Sequence, residues 1–113
     1  MKECIFCQII DHKIPAKIRY EDEEIIAFDD IKPKAPIHIL IVPKDHIESL
    51  TQARESDLKI LGKLMLTAKK IAQKLKILNQ GFKIIINTGK GGGQIVPHLH
   101  LHLLGGRTIK WEV

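Results

Sequence analysis

Three histidines alternate with leucines near the end of the chain, at His98, His100 and His102. Successive side chains of a β-strand point to opposite faces of a sheet, so this alternation predicts a strand over 98–104 with three imidazoles on one face and leucines in the core. Polar strand faces usually carry Lys, Glu and Thr, whereas this face would hold three of the chain's six histidines. Imidazole suits nucleophilic attack and proton transfer near neutral pH, so the pattern indicates a catalytic strand.

The spacing of these histidines limits what a metal ion could do among them. At about 3.3 Å per residue, neighbouring histidines lie roughly 7 Å apart and the outer two roughly 13 Å apart. One metal ion with ligand distances of about 2 Å can bind two of these histidines but hardly all three. A catalytic zinc site built from the whole triad is therefore disfavoured, and at least one histidine is left for other chemistry.

Cys4 and Cys7 form a Cys-x-x-Cys pair at the start of the chain. In a reducing compartment such a pair is more often metal-binding or redox-active than a structural disulfide. The redox function is expected at a strand-to-helix junction in a βαβ unit, which this sequence does not show. Zinc bound with two further ligands and two partly buried thiols without metal both remain open.

The elements that must position these residues are short. Apolar residues at three- and four-residue steps over 58–75, with lysines between them, predict one long amphipathic helix. The other predicted elements are a helical turn over 4–11, a hairpin of strands 17–21 and 24–28, and strands 37–42 and 83–88. With strands joined mainly by hairpins, we expect an α+β fold with a mainly antiparallel sheet, in a single domain spanning 1–113.

Composition excludes several classes of protein. The 113 residues are 44% hydrophobic and carry a net charge of +5 that is scattered along the chain. No apolar run reaches the roughly 18 residues of a membrane span, and the first residues lack the apolar stretch of a signal peptide. Three Phe, one Tyr and one Trp leave little surface for base stacking, so no nucleic-acid partner is indicated. We expect a cytoplasmic protein without membrane contact.

The triad matches the His-x-His-x-His-x-x signature of the histidine triad (HIT) superfamily, with every x apolar. Segments 28–38 and 42–46 resemble the family's second-to-third strand region and its Pro-Lys-x-His continuation. The Gly-Gly-Gln before the triad, the Gly-Gly-Arg after it and Trp111 resemble the Hint branch. The resemblance covers nearly the whole chain, and it implies a HIT-like fold with a five-stranded sheet, one long helix and a short N-terminal helix.

The resemblance also implies an activity. Members of this branch are nucleotide hydrolases or transferases that act on purine nucleoside phosphoramidates or related adenylates through a covalent nucleotidyl-histidine. By position, His100 resembles the nucleophile, and His102 the residue that contacts the phosphate and helps protonate the leaving group. His38 resembles the fourth active-site histidine, opposite His102. A homodimer is implied too, with the segment around Trp111 reaching toward the partner's site.

Further positions resemble the family's nucleotide-binding residues. Asp30 resembles the acid that binds ribose hydroxyls, and the glycine-rich loop before the triad suits a phosphate because its backbone N–H groups can approach an anion closely. That loop lacks the Gly-Lys-Ser or Gly-Lys-Thr of a P-loop, so alone it is a weak signal. The implied nucleotide-binding set is Ile5, Phe6, Ile9, Phe28, Asp30, Ile31, Leu40, Asn87, Gly93, Gln94, His98, His100 and His102.

For the cysteine pair, the resemblance implies a structural zinc. Several bacterial members bind zinc with the matching cysteines and two histidines, which correspond here to His46 and His98. Eukaryotic relatives lack the pair and fold without zinc. If His98 binds zinc, it becomes scaffold rather than catalyst.

One departure from the family pattern concerns the leaving group. Ile95 stands three positions before the triad, where eukaryotic members carry a hydroxyl residue. Leaving-group preference is therefore an open question. A dinucleoside polyphosphate hydrolase is the second enzyme hypothesis, although the Gly-Gly-Arg and tryptophan ending favours the first. A nucleotide-binding or interaction module with incidental catalysis is the hypothesis from another class.

Overall fold

The computed structural model describes residues 4–111. Its two helices are α1 (Ile5–Ile10) and α2 (Leu58–Lys74). Its five strands are β1 (Ile18–Glu21), β2 (Ile25–Asp29), β3 (Ile37–Pro43), β4 (Lys83–Ile85) and β5 (Leu101–Gly105). The predicted α+β architecture with a five-stranded antiparallel sheet is confirmed.

The strands form one sheet in the order β1-β2-β3-β5-β4, and every neighbouring pair is antiparallel. This order places β5, which carries the end of the triad, inside the sheet beside β3. His102 is the register partner of Leu40 on β3, and His38 is the partner of Leu104. The fourth histidine and the triad therefore lie on adjacent strands.

Each face of the sheet has its own apolar cluster. The buried side of α2, which includes Leu64, Ala68 and Ile71, packs on the face that holds Leu101 and Leu103. On the other face α1 contributes Phe6 and Ile9 to a cluster with strand residues of β2 and β3. The histidines share this second face, because they alternate with the leucines that pack under α2.

The predicted strand over 98–104 is only partly correct. Strand β5 begins at Leu101, and residues 96–98 form a bend. Pro97 has no N–H for a strand ladder, the His98 N–H donates to the Val96 carbonyl at 2.8 Å, and the Leu99 N–H donates to the Ile47 carbonyl at 2.7 Å. The bend gives His98 surroundings that differ from those of the other two histidines.

Strand β4 is shorter than predicted, whereas the long helix lies close to its predicted bounds. Strand β4 ends at Ile85 rather than at residue 88, because residues beyond it turn into the glycine-rich loop. The long helix begins at Leu58, preceded by a turn of 3₁₀ helix over Glu55–Asp57. Within residues 4–111 neither helix has the length and apolarity needed to cross a bilayer.

Candidate active site and metal centre

His100 lies just before β5, with its ring in the interior and 6% of the residue exposed. Its Nδ1 lies 2.7 Å from the His98 carbonyl oxygen, which can only accept, so Nδ1 carries the proton. The lone pair is then on Nε2. The Phe6 ring packs edge-on against this imidazole at 5.0 Å between ring centres, which fixes the plane of the ring. This geometry presents a neutral imidazole nitrogen as a nucleophile.

His38 and His102 form a directed hydrogen-bond chain. The Lys34 backbone N–H donates to His38 Nδ1 at 3.0 Å, so the proton of the neutral His38 ring is on Nε2. His38 Nε2 lies 3.0 Å from His102 Nδ1 and donates to it. His102 must then carry its own proton on Nε2. A backbone amide thus determines, through two rings, that His102 is a hydrogen-bond donor at its outer nitrogen.

Burial keeps these rings neutral near pH 7. It lowers the pKa of His102 to about 4, and the neighbouring His100 and His38 rings act in the same direction. Burial also lowers the pKa of His100, although the hydrogen bond to the His98 carbonyl and the charge of Asp30 partly oppose it. The pKa of His38 falls for the same reason, with Asp30 opposing. All three rings are therefore neutral rather than imidazolium ions, and among them only His100 has a ring nitrogen, Nε2, that neither carries a proton nor accepts a hydrogen bond.

Asp30 lies directly after β2, beside these histidines. One carboxylate oxygen accepts the Lys32 backbone N–H at 2.8 Å, and the other lies 3.4 Å from His38 Nε2. Its side chain is 21% exposed, so the carboxylate remains reachable from outside. A charge-bearing acceptor held this way can bind neighbouring hydroxyl groups.

Cys4, Cys7, His46 and His98 form the second cluster, with potential ligand atoms all within 4.8 Å of one another. His98 Nε2 donates to the Pro43 carbonyl at 2.8 Å, so its Nδ1 is unprotonated and turned to the sulfurs. That nitrogen lies 3.4 Å from the sulfur of Cys4 and 3.6 Å from that of Cys7. His46 Nδ1 lies 3.3 Å from the Cys7 sulfur.

These distances fit tetrahedral zinc. Bond lengths of about 2.3 Å for Zn–S and about 2.05 Å for Zn–N place sulfur and nitrogen about 3.6 Å apart across a tetrahedron. Burial raises the pKa of Cys7 to about 11, with the Cys4 side chain acting in the same direction, so a thiolate here needs a cation beside it. The hydrogen bond from His98 Nε2 to the Pro43 carbonyl is the kind of contact that orients a metal-binding imidazole. The predicted ligand set is thus brought together and fits the ion.

A second group of possible ligands, Asp30, His38 and His102, has its ligand atoms within 4.8 Å of one another. It does not suit a cation, because a metal on His38 Nε2 would displace the proton to Nδ1. Nδ1 faces the Lys34 N–H at 3.0 Å, and two donors would then oppose each other. The Lys34 backbone N–H therefore disfavours a metal ion at this group.

The glycine-rich loop between β4 and the triad is braced by two amide side chains. Asn87 donates to the Gly92 carbonyl at 2.8 Å. Gln94 accepts the Gly89 N–H at 2.9 Å and donates to the carbonyls of Glu48 and Val96 at 2.8 and 2.9 Å. These two predicted nucleotide-binding residues therefore shape the loop with their side chains. Gly93 takes a positive φ of 80°, which a side chain would strain.

The predicted base pocket is divided between interior and surface. Phe6, Ile9, Phe28 and Leu40 lie together in the buried cluster under α1. Ile5 and Ile31 are 45% and 90% exposed, on the surface of the same region. His98, also predicted for nucleotide contact, has no exposed surface: its Nδ1 faces the cysteine sulfurs, and its Nε2 donates to the Pro43 carbonyl.

The backbone groups that set the tautomers could not be predicted from the sequence. The Lys34 N–H, the Pro43 carbonyl and the His98 carbonyl each fix one imidazole. Every residue has these groups, so no residue pattern singles them out.

The fold and site described above are those of a histidine triad protein. A family model for the HIT domain matches residues 11–109, and the chain belongs to the HIT family. Protein HitA of Neisseria gonorrhoeae is 51% identical over 105 residues, covering 93% of this chain and 97% of that protein. The crystal structure of a HIT family hydrolase from Legionella pneumophila Philadelphia 1 superposes with a TM-score of 0.95 at 44% identity, covering 96% and 97% of the two chains.

A more distant relative has the same fold. A histidine triad nucleotide-binding protein from Candida albicans matches with a TM-score of 0.81 at 31% identity, covering 98% of this chain and 84% of that one.

Proposed function

We propose that this protein is a nucleotide hydrolase or transferase that cleaves purine nucleoside phosphoramidates or related adenylates by way of a nucleotidyl-His100 intermediate. The observation that carries the proposal is the 2.7 Å hydrogen bond from His100 Nδ1 to the His98 carbonyl, which leaves the Nε2 lone pair for attack. The hydrolase name of the Legionella relative and the nucleotide-binding name of the Candida relative agree with it.

The reaction would take place in two displacements at phosphorus. His100 Nε2 attacks, the bond from phosphorus to the leaving nitrogen or oxygen breaks, and that atom takes up a proton from solvent. Water then attacks the same phosphorus and releases a proton to solvent, the bond to Nε2 breaks, and a nucleoside monophosphate leaves with His100 neutral again. An amine or alcohol acceptor in place of water would give a transferase. His102, with its outer nitrogen protonated by the chain from Lys34, would donate a hydrogen bond to the phosphoryl or leaving atom.

The glycine-rich loop and the residues around Asp30 would bind the substrate near His100. The backbone N–H groups of the glycine-rich loop would approach the phosphoryl oxygens, where donors stabilise developing charge. Asp30 would bind the ribose hydroxyls, because its carboxylate is partly exposed beside the histidines. The apolar surface near Ile31, which is 90% exposed, would be covered by the base.

A structural zinc ion is part of the proposal. Cys4, Cys7, His46 and His98 would hold it, and it would tie α1 and the bend before β5 to the end of β3. A cytoplasmic location follows from this proposal, since zinc thiolates persist in reducing compartments.

We also propose a homodimer. The outer face of α2 carries three apolar residues, Leu58, Met65 and Leu66, with 74%, 47% and 66% exposure. Strand β4 lies at one edge of the described sheet, with β5 as its neighbour. A twofold contact through these surfaces would cover both. Lys83, at the start of β4, already holds the C-terminal segment by donating to the Lys110 carbonyl at 3.0 Å.

Rapid quenching of a reaction with labelled adenosine phosphoramidate, followed by peptide mapping, tests the central step. We expect label on His100 and on no other residue. Comparison of kcat/KM for an adenosine phosphoramidate and a dinucleoside polyphosphate separates the two enzyme hypotheses. Tight nucleotide binding without label or turnover would favour the binding module instead.

A further inference from the structure

The turn after β5 packs directly against the loop that precedes β3. Gly106 has a φ of +89°, and a Cβ atom there would lie 2.9 Å from Cβ of Pro36. One residue further, Arg107 Nη2 donates to the Lys34 carbonyl at 2.9 Å, while Nη1 donates to the nearby Thr108 carbonyl at 3.2 Å. The guanidinium group thus holds a residue 73 positions earlier in the chain.

Lys34 is the residue whose backbone N–H fixes the histidine chain. Its N–H donates to His38 Nδ1 and its carbonyl accepts from Arg107, so both of its backbone polar groups are held. Pro33 and Pro36 flank this segment and lack N–H groups, which removes backbone donors that could otherwise hold the loop. The position of the Lys34 amide therefore depends on contacts made by the turn after β5.

We propose that Arg107 is a positioning residue: by holding the Lys34 carbonyl, it restrains the α-carbon that also carries the Lys34 N–H, and so keeps the His38 proton on Nε2 and, through His38, the His102 proton on its outer nitrogen. The inference rests on the proposed function, in which His102 donates to the phosphoryl or leaving atom. Arg107 itself touches none of the three active-site rings in the contacts described for residues 4–111.

Loss of this anchor has a specific chemical consequence. If the Lys34 N–H moves away, His38 can carry its proton on Nδ1, and its Nε2 lone pair then faces the His102 Nδ1 lone pair at 3.0 Å. The repulsion between these two lone pairs is relieved when His102 carries its proton on Nδ1, the nitrogen that faces His38. His102 would then present a lone pair, instead of a donor, to the leaving atom. His100 is unaffected, because its proton is held by the His98 carbonyl.

The test compares Arg107→Ala with Arg54→Ala, which removes an arginine that is also exposed and lies outside the site. The first readout is ¹⁵N NMR of the imidazole nitrogens in the full-length protein. We expect the His38 and His102 signals of Arg107→Ala to shift toward the other tautomer, while His100 and all rings of Arg54→Ala keep their positions. Unchanged His38 and His102 tautomers would overturn the proposal, whatever the enzyme does.

The second readout is kinetic. With an alkylamine leaving group, which depends most on a donor at the leaving atom, kcat of Arg107→Ala should fall about tenfold, part of the roughly 10²–10³-fold cost of removing one hydrogen-bond donor to developing charge. With a good arylamine leaving group kcat should change less than about twofold. Adding His102→Ala to Arg107→Ala should give no loss beyond that of His102→Ala alone. Equal losses for both leaving groups, or additive losses in the double variant, would contradict the positioning role.

The two readouts separate this proposal from the proposed function. If His100 is never labelled, the proposed reaction fails but the tautomer shift can still be measured. If labelling occurs and the tautomers do not respond to Arg107, only the positioning role fails.

Discussion

Replacing Cys4 by serine tests the metal centre, because it removes one ligand and preserves the size of the side chain. Cys4 is 8% exposed and belongs to the apolar cluster that α1 forms with the sheet. We expect the purified wild-type protein to hold about one zinc per chain. We expect Cys4→Ser to hold much less and to melt at a lower temperature.

The size of the effect follows from linkage. A ligand that binds only the folded state at about 1,000 times its Kd adds about 4 kcal/mol to the free energy of unfolding. For a domain of this size each kcal/mol corresponds to about 4 °C in Tm, so the zinc-dependent difference should be roughly 15 °C. The Tm of the wild type should therefore fall by about this amount in a strong chelator. The Tm of Cys4→Ser should respond little to chelator or to added zinc.

The matched control is His12→Ala, which removes an exposed histidine that lies outside the metal cluster and contacts Glu21 at 3.3 Å. Its zinc content should equal that of the wild type. Calorimetry and elemental analysis on protein prepared without chelators provide the measurements. A wild type that contains no zinc, or a Cys4→Ser variant whose Tm rises with zinc as much as the wild type's, would refute the reasoning.

Three further predictions test other parts of the molecule. His100→Ala should lower kcat by several orders of magnitude in steady-state assays, and near-normal turnover would show that the nucleophile is another group. Asp22→Asn should lower the free energy of unfolding by about 1 kcal/mol at pH 7. Burial alone would raise the pKa of Asp22, but hydrogen bonds from Tyr20, two backbone amides and Lys63 hold that pKa well below its usual range. That stability is present above the ordinary carboxyl pKa and is lost as pH falls through the folded-state pKa, so urea melts of the two proteins should converge on acidification. Leu66→Glu should halve the mass seen by sedimentation at micromolar concentration, and an unchanged mass would contradict the α2 dimer contact.

The elements of this fold could be predicted because their signals are local. The three- and four-residue apolar period gave the long helix close to its observed bounds of Leu58–Lys74. The strand containing the triad was placed three residues too early, since its alternation continues through a bend that Pro97 and the Val96 carbonyl create. In this bend the side chains keep the alternation typical of a strand, but the backbone does not form strand hydrogen bonds. Sequence periodicity reports only the burial of side chains.

The candidate site was predictable in its residues but not in its proton positions. Residue types and family resemblance indicated His38, His100 and His102, and the structure brings all three together. Their tautomers depend on the Lys34 amide and the His98 carbonyl, and both come from peptide groups in tertiary contact. A sequence pattern carries no information on such contacts until the chain is folded.

His98 explains why the proposed metal cluster and the proposed nucleophile, His100, lie so close together. Its ring nitrogens face the cysteine sulfurs and the Pro43 carbonyl, while its own carbonyl accepts the proton-bearing nitrogen of His100. Because a peptide group and its side chain share one α-carbon, an ion that fixes the His98 ring also restrains the acceptor that sets the His100 tautomer. Stability and the orientation of the proposed nucleophile should therefore respond to the same ligands.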